Sequence, residues 1–151
     1  MEALFRTWET SRGIYNGFLD KYSLEQLNFI PNGFSNNLIW NIGHIIVSQQ
    51  GLIYRLSGNG TIIPATMTEK YKNGTRPAGN ATAEDLEEIK SYLIPLIAQT
   101  KEDFAKGKYN NYNPYSTQTG FVLNNIEEAF QFNNYHEGLH LGLMMSIRKF
   151  I

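Results

Sequence analysis

Three histidines are all this chain contains, and two of them, His136 and His140, stand four residues apart in the stretch Asn134–Gly142, NYHEGLHLG. That stretch lies in a long apolar run without proline, which predicts a helix. Four helical residues advance about 6 Å with about 40° of rotation, so both imidazoles leave one face, a turn apart. This is the geometry in which two histidines share a metal ion. The third, His44, sits in another strongly apolar segment, NLIWNIGHIIVSQQGLIYRL. A lone histidine in an apolar helix is ordinarily a core or surface residue. Here the chain's whole histidine supply falls on two such helices, and if these pack face to face, three neutral imidazoles converge on one divalent cation.

Three imidazoles leave a coordination position open, as catalytic rather than structural sites do. Such a cation either activates a water as nucleophile or deprotonates a bound thiol. The imidazoles also need groups to orient them. Asn41 and Ser48 lie one turn either side of His44, and Asn133 one turn before His136. Glu137 falls about 80° from the mean histidine direction, which places it at the edge of the site as a candidate general base; the competing reading is an exposed helix glutamate. HEGLH also matches the H-E-x-x-H pattern of zinc peptidases. The eleven residues after His140 hold no His, Asp or Glu to complete that ligand set, and no strand signal supplies a substrate edge. A peptidase therefore ranks third among the readings.

The elements that must position these residues follow from periodicity and punctuation. Residues 3–20 form a first helix, with Leu4, Phe5, Trp8, Ser11, Ile14, Tyr15, Phe18 and Leu19 at three- and four-residue intervals. Ser23 and Gln26 make a weak capping box, and Pro31-Asn32-Gly33 stops the chain there. A second helix, capped at one of Ser35, Asn36 or Asn37, runs to about Leu56 and is apolar over a wide arc, as if buried on several sides. Residues 58–81 show no clear period and read as a long loop, either a cover over the site or a mobile connection. Thr82 caps a third helix whose early carboxylates suit its dipole; Pro95 kinks it or starts another, and Gly107 ends it. Tyr109–Gly120 reads as a loop, and a last helix spans about Asn124 to Arg148. The fold class is all-α, a four-helix bundle with long crossover loops, and residues 1–151 form a single domain. Gly138 and Gly142, four apart on the side of the last helix away from the histidines, predict close approach of another helix, intramolecular packing being the simpler choice.

Composition narrows the function classes. The 151 residues carry a net charge of −1 with 18% charged residues, and there is no basic patch for nucleic acid. There is no cysteine, which rules out a disulfide framework, a cysteine–zinc site and a cysteine nucleophile, and fits a cytoplasmic protein. The N-terminal segment MEALFRTWETSRG lacks the apolar core of a signal peptide. No uninterrupted apolar run of about 18 residues predicts a membrane span.

The pattern N-x-x-W-x-x-G-H (Asn37, Trp40, Gly43, His44) together with H-E-x-x-H-x-G (His136, Glu137, His140, Gly142) resembles the DinB/YfiT-like superfamily. The resemblance covers nearly the whole chain and implies a four-helix bundle with a metal held by His44, His136 and His140. It implies zinc or nickel as the metal, and a homodimer. It implies an activity more loosely: a small-molecule enzyme, either a transferase using a low-molecular-weight thiol as cosubstrate or a hydrolase. Many members carry a further histidine before the last ligand and an arginine after it; here those places hold Leu139 and Leu141. The alternative from a different class is a non-catalytic bundle in which the metal serves folding or dimerisation.

Overall fold

A computed structural model describes residues 1–151. The chain is mostly helical: α1 (Glu2–Lys21), α2 (Leu24–Asn28), α3 (Leu38–Gln49), α4 (Ala65–Tyr71), α5 (Ala83–Leu93), α6 (Pro95–Ala105) and α7 (Ile126–Ile147). A π-helical segment, Gln50–Arg55, continues α3, and a 3₁₀ turn, Arg148–Phe150, follows α7. Two short strands, β1 (Tyr115–Ser116) and β2 (Val122–Leu123), pair antiparallel with Tyr115 opposite Leu123 and Ser116 opposite Val122.

Four of the seven α-helices start on a side-chain cap. Ser23 and Gln26 cap α2 reciprocally, as do Thr82 and Asp85 on α5. The Asn37 side chain accepts the Trp40 N–H at the start of α3, and Asn125 accepts that of Glu128 at the start of α7. Pro95 occupies the first turn of α6, where its missing N–H costs nothing, so it begins a new helix rather than kinking one. Gly58 and Gly107 take positive φ, 75° and 70°, where the chain leaves the helix that precedes it.

Two stretches depart from the sequence reading. Residues 58–81 are not a structureless loop: Ala65–Tyr71 forms α4, which buries Met67 and Tyr71 against α3. Within Tyr109–Gly120, β1 opens a small hairpin.

The interior is organised around α3 and α7. Residues 38–47 are all buried, in keeping with the wide apolar arc, because α2, α4, α5 and α7 all pack on this helix. The helix α1 packs on α5 and α7 and touches α3. One hydrophobic cluster surrounds Ile42, Ile45 and Ile46; a second is aromatic, with Phe130 meeting Phe5 at 5.3 Å, Phe104 at 5.6 Å and Tyr109 at 6.2 Å, all edge-on. Ile14, expected on the inner stripe of α1, is 45% exposed, whereas Arg12 is wholly buried. Its guanidinium meets the equally buried Glu137 of α7, Nη2 to Oε1 at 2.7 Å and Nε to Oε2 at 2.9 Å. No helix is long and apolar enough to cross a membrane.

Candidate metal centre

His44 leaves α3, His136 and His140 leave α7, and the packing of these two helices brings the three rings together. One ligand nitrogen from each lies within 4.8 Å of the others. Ring centroids are 4.8 Å apart for His44–His140, 5.3 Å for His44–His136 and 4.6 Å for His136–His140. The Nε2 atoms of His136 and His140 are 3.2 Å apart. Two imidazoles on a tetrahedral zinc, with Zn–N of about 2.0–2.1 Å, hold their nitrogens about 3.3 Å apart. The two rings on α7 thus stand at the spacing of ligands sharing one ion.

Hydrogen bonds on the far side of two rings decide which nitrogen faces inward. His44 Nδ1 lies 2.7 Å from the Tyr71 carbonyl, and His140 Nδ1 lies 2.7 Å from Asn41 Oδ1. A carbonyl oxygen only accepts, so Nδ1 carries the proton in both rings and each Nε2 presents a lone pair to the cluster. His136 has no such partner; its Nδ1 is buried without a hydrogen bond, and Phe132 lies against its ring at 6.1 Å. Burial, with the mutual repulsion of the rings, lowers the pKa of His136 to about 4 and of His140 to about 3; burial also lowers that of His44, against the Tyr71 hydrogen bond. All three are neutral near pH 7, the form that binds a cation.

Each residue of N-x-x-W-x-x-G-H has a task in this placement. Asn37 caps α3 and donates to the Asn28 carbonyl at 2.9 Å, joining α2 to α3. Trp40 stacks on His44 at 4.8 Å with planes 9° apart. Gly43 has no side chain because there is no room for one: a Cβ there would lie 2.7 Å from the Tyr71 ring. The glycine lets α4 settle on α3 closely enough for the Tyr71 carbonyl to reach the neighbouring His44.

A family model of the DinB superfamily matches residues 7–144, most of the chain and all three histidines. The chain belongs to the DinB superfamily. No curated protein matches it. In this DinB superfamily member the histidine cluster opens on a cavity of about 780 Å³, lined by His44, His136 and Ser48, the end of α3, α4 with its flanks, and the β1–β2 turn. Residues 58–81 therefore supply a wall of the cavity as well as the carbonyl behind His44. A second cavity, about 380 Å³, lies between Trp40, Tyr71 and residues 75–81 and includes none of the three histidines.

The residues expected to support the rings are distributed differently from the sequence reading. Asn41 stands beside His44 on α3 but serves His140 across the helix interface. Ser48 Oγ is 3.2 Å from His44 Nε2, on the cluster side of the ring, where it lines the cavity rather than bracing the imidazole from behind. Asn133 does not orient His136; its amide donates to Glu137 Oε1 at 3.0 Å. Glu137 itself is 0% exposed, so it is not a surface glutamate. Nor is it turned toward the histidines: its carboxylate accepts from Arg12, Asn133 and Trp8, the last at 2.8 Å, while Tyr15 donates to its main-chain carbonyl. Held by a guanidinium within the α1–α7 contact, this carboxylate is not placed to act as the general base of an H-E-x-x-H peptidase.

The Tyr71 carbonyl and Arg12 are the contributors the sequence concealed. A backbone carbonyl has no residue signature, so nothing marked Tyr71. Arg12 left a trace: it is the charged residue on the apolar stripe of Trp8, Tyr15 and Leu19, a position at which burial demands a partner.

Proposed function

We propose that this protein is a metal-dependent enzyme of small-molecule chemistry, with His44, His136 and His140 holding a zinc or nickel ion. The reading includes a four-helix bundle of α1, α3, α5–α6 and α7, a cytoplasmic location and a homodimer. The observation that carries it is the convergence of three neutral imidazoles, two with their Nε2 atoms aimed inward by hydrogen bonds, at the end of a cavity large enough for a small substrate.

Bound there, the ion would supply a Lewis acid with an open position. The chain's own residues do the rest. Tyr71 and Asn41 hold two rings in register, Trp40 and Phe132 flank the cluster with stacked aromatic faces, and Ser48 offers a hydroxyl beside His44 for a proton or a substrate oxygen. Thiol transfer is preferred over hydrolysis. A chain without cysteine must take any thiolate from a cosubstrate, and the cavity beside the cluster has room for one.

The test is metal analysis of protein purified without a polyhistidine tag, followed by uptake of Zn²⁺ and Ni²⁺. We expect one ion per chain, lost in His44→Ala. No bound metal and no uptake by the wild type would overturn the reading. Bound metal whose chelation lowers thermal stability, with no turnover across low-molecular-weight thiols and electrophiles, would favour a purely structural ion joining α3 to α7.

A further inference from the structure

The cavity beside the histidines has one charged group that nothing in the protein neutralises. Its lining carries Arg55, Lys72 and Glu69. Lys72 and Glu69 pair with each other. Arg55 takes part in none of the chain's ion pairs. It stands in line with the site: His44, Ser48, Gly51 and Arg55, spaced four, three and four residues apart, all line the same cavity. Arg55 folds back over Gly51: a Cβ at that position would have Arg55 Nη2 as its neighbour at 3.6 Å, an ordinary contact. Helical side chains lean in that direction, toward the N-terminus. Seven residues of helix separate Gly51 from His44, about 10 Å of rise. A guanidinium fork thus lies at one end of the cavity and the histidine cluster at the other. The opposite wall ties α4 to the β1–β2 turn, where the Asn73 amide donates to Gln118 Oε1 at 3.4 Å; both residues line the cavity.

We propose that the ligand of this cavity is a two-headed small molecule whose remote end is an oxyanion, a carboxylate or a phosphate, and that Arg55 binds that end. A planar guanidinium matches either group with two parallel N–H···O bonds. The charge balance agrees: with Lys72 and Glu69 cancelling, Arg55 leaves the lining one positive charge in excess, and three neutral imidazoles add none of the opposite sign. The inference rests on the metal reading for the reacting head only; the arginine subsite stands on its own residues.

Calorimetric binding of succinate, adipate and suberate to the full-length protein, zinc-loaded and metal-free, tests it, with hexanoate as the single-headed control and 6-phosphonohexanoate separating phosphate-like from carboxylate preference. In the loaded protein a dicarboxylate should bind more tightly than hexanoate, and Arg55→Gln should weaken it about five- to tenfold, the lower end for a charge-assisted pair at a solvent-accessible site. Arg55→Lys should recover part of the loss, and Lys149→Gln, an exposed charge elsewhere, should leave affinity unchanged. Metal content should be the same in all of these variants. Normal metal content with affinity indifferent to Arg55→Gln, or no saturable binding of any probe, overturns the subsite. A wild type that takes up no metal, yet binds the probes through Arg55, overturns the metal reading and leaves the subsite intact.

Discussion

Asn41 shows how one side chain can serve a histidine its own helix does not carry. Its Oδ1 takes the Nδ1–H of His140 at 2.7 Å while its amide donates to the Asn37 carbonyl, also at 2.7 Å, so both ends of the amide are engaged. Asn41→Ala should lower metal affinity about 10- to 100-fold, the usual consequence of removing the partner behind a ligating imidazole. Competition against a chromophoric chelator measures this, and an affinity equal to wild type would remove Asn41 from the site. The histidines carry a pH prediction for the metal-free protein. Unfolded histidine titrates near 6.5, whereas folded His136 and His140 titrate near 4 and 3. Between these limits the unfolded chain binds protons the native state refuses, so stability is greatest above pH 6.5 and falls as pH drops toward 4. Urea unfolding in chelator at pH 7.5 and 5 should show that loss, and His136→Gln/His140→Gln should show less of it. An equal loss in both proteins would assign the effect to carboxylates instead. The histidine pair of α7 was legible in sequence, because a four-residue spacing is a statement about one helix face. Their supports were not: periodicity says which residues share a face of their own helix and nothing about what lies across the interface. Asn41 therefore serves His140 of α7 rather than His44 of its own helix, and Glu137 meets Arg12 and Trp8 of α1.

At the scale of elements, α7 can present His136 and His140 to α3 only in one rotation about its axis, and Glu137, about 100° around from His136, fixes it. The carboxylate binds Arg12 and Trp8 of α1, and Arg12 Nη1 also donates to the Leu93 carbonyl at 3.1 Å, so one buried ion pair joins α1, α5 and α7. Taking both charges from water costs several kcal/mol each, and the extra hydrogen bonds offset that cost. Arg12→Met should destabilise by about 3–5 kcal/mol, since it leaves a carboxylate buried without its counter-ion. The double change Arg12→Met/Glu137→Leu should recover most of the loss, and urea midpoints decide. If the double variant is no better than the single, packing of the arginine stem, not charge compensation, accounts for its place. The long helices were readable because their apolar residues recur over several turns. The seven residues of α4 bury only Met67 and Tyr71, which is one repeat and no pattern, and two-residue strands leave no alternation to read. The π-helical turn after α3 was hidden for another reason: it changes the winding of the chain without changing its composition.

For the whole molecule, the outward face of α7 presents a run of apolar side chains to water. Tyr135, Leu139 and Met145 on that helix are 48%, 54% and 43% exposed, and the neighbouring hairpin adds Phe121 and Val122 at 41% and 57%. Gly138 and Gly142 lie on the same helix with nothing within 4 Å of where their Cβ atoms would be. The close intramolecular helix contact expected of these glycines is therefore not there, and each still costs about 1 kcal/mol relative to alanine in a helix interior. A standard interface takes about 800 Å² from each partner, roughly a tenth of this chain's 7898 Å² surface. The proposed homodimer would use this face, two α7 helices approaching over their glycines. The substitution Gly138→Leu/Gly142→Leu separates the cases, because the two outcomes have opposite sign. In a monomer the new side chains point into open solvent and improve helix propensity, so thermal stability should rise. In a dimer built on close helix approach they hold the helices apart, so light scattering should show the mass fall from twice 17.3 kDa to once, with stability falling alongside and metal content unchanged. A wild type already at 17.3 kDa at all concentrations, with a double variant that is more stable, would remove the dimer.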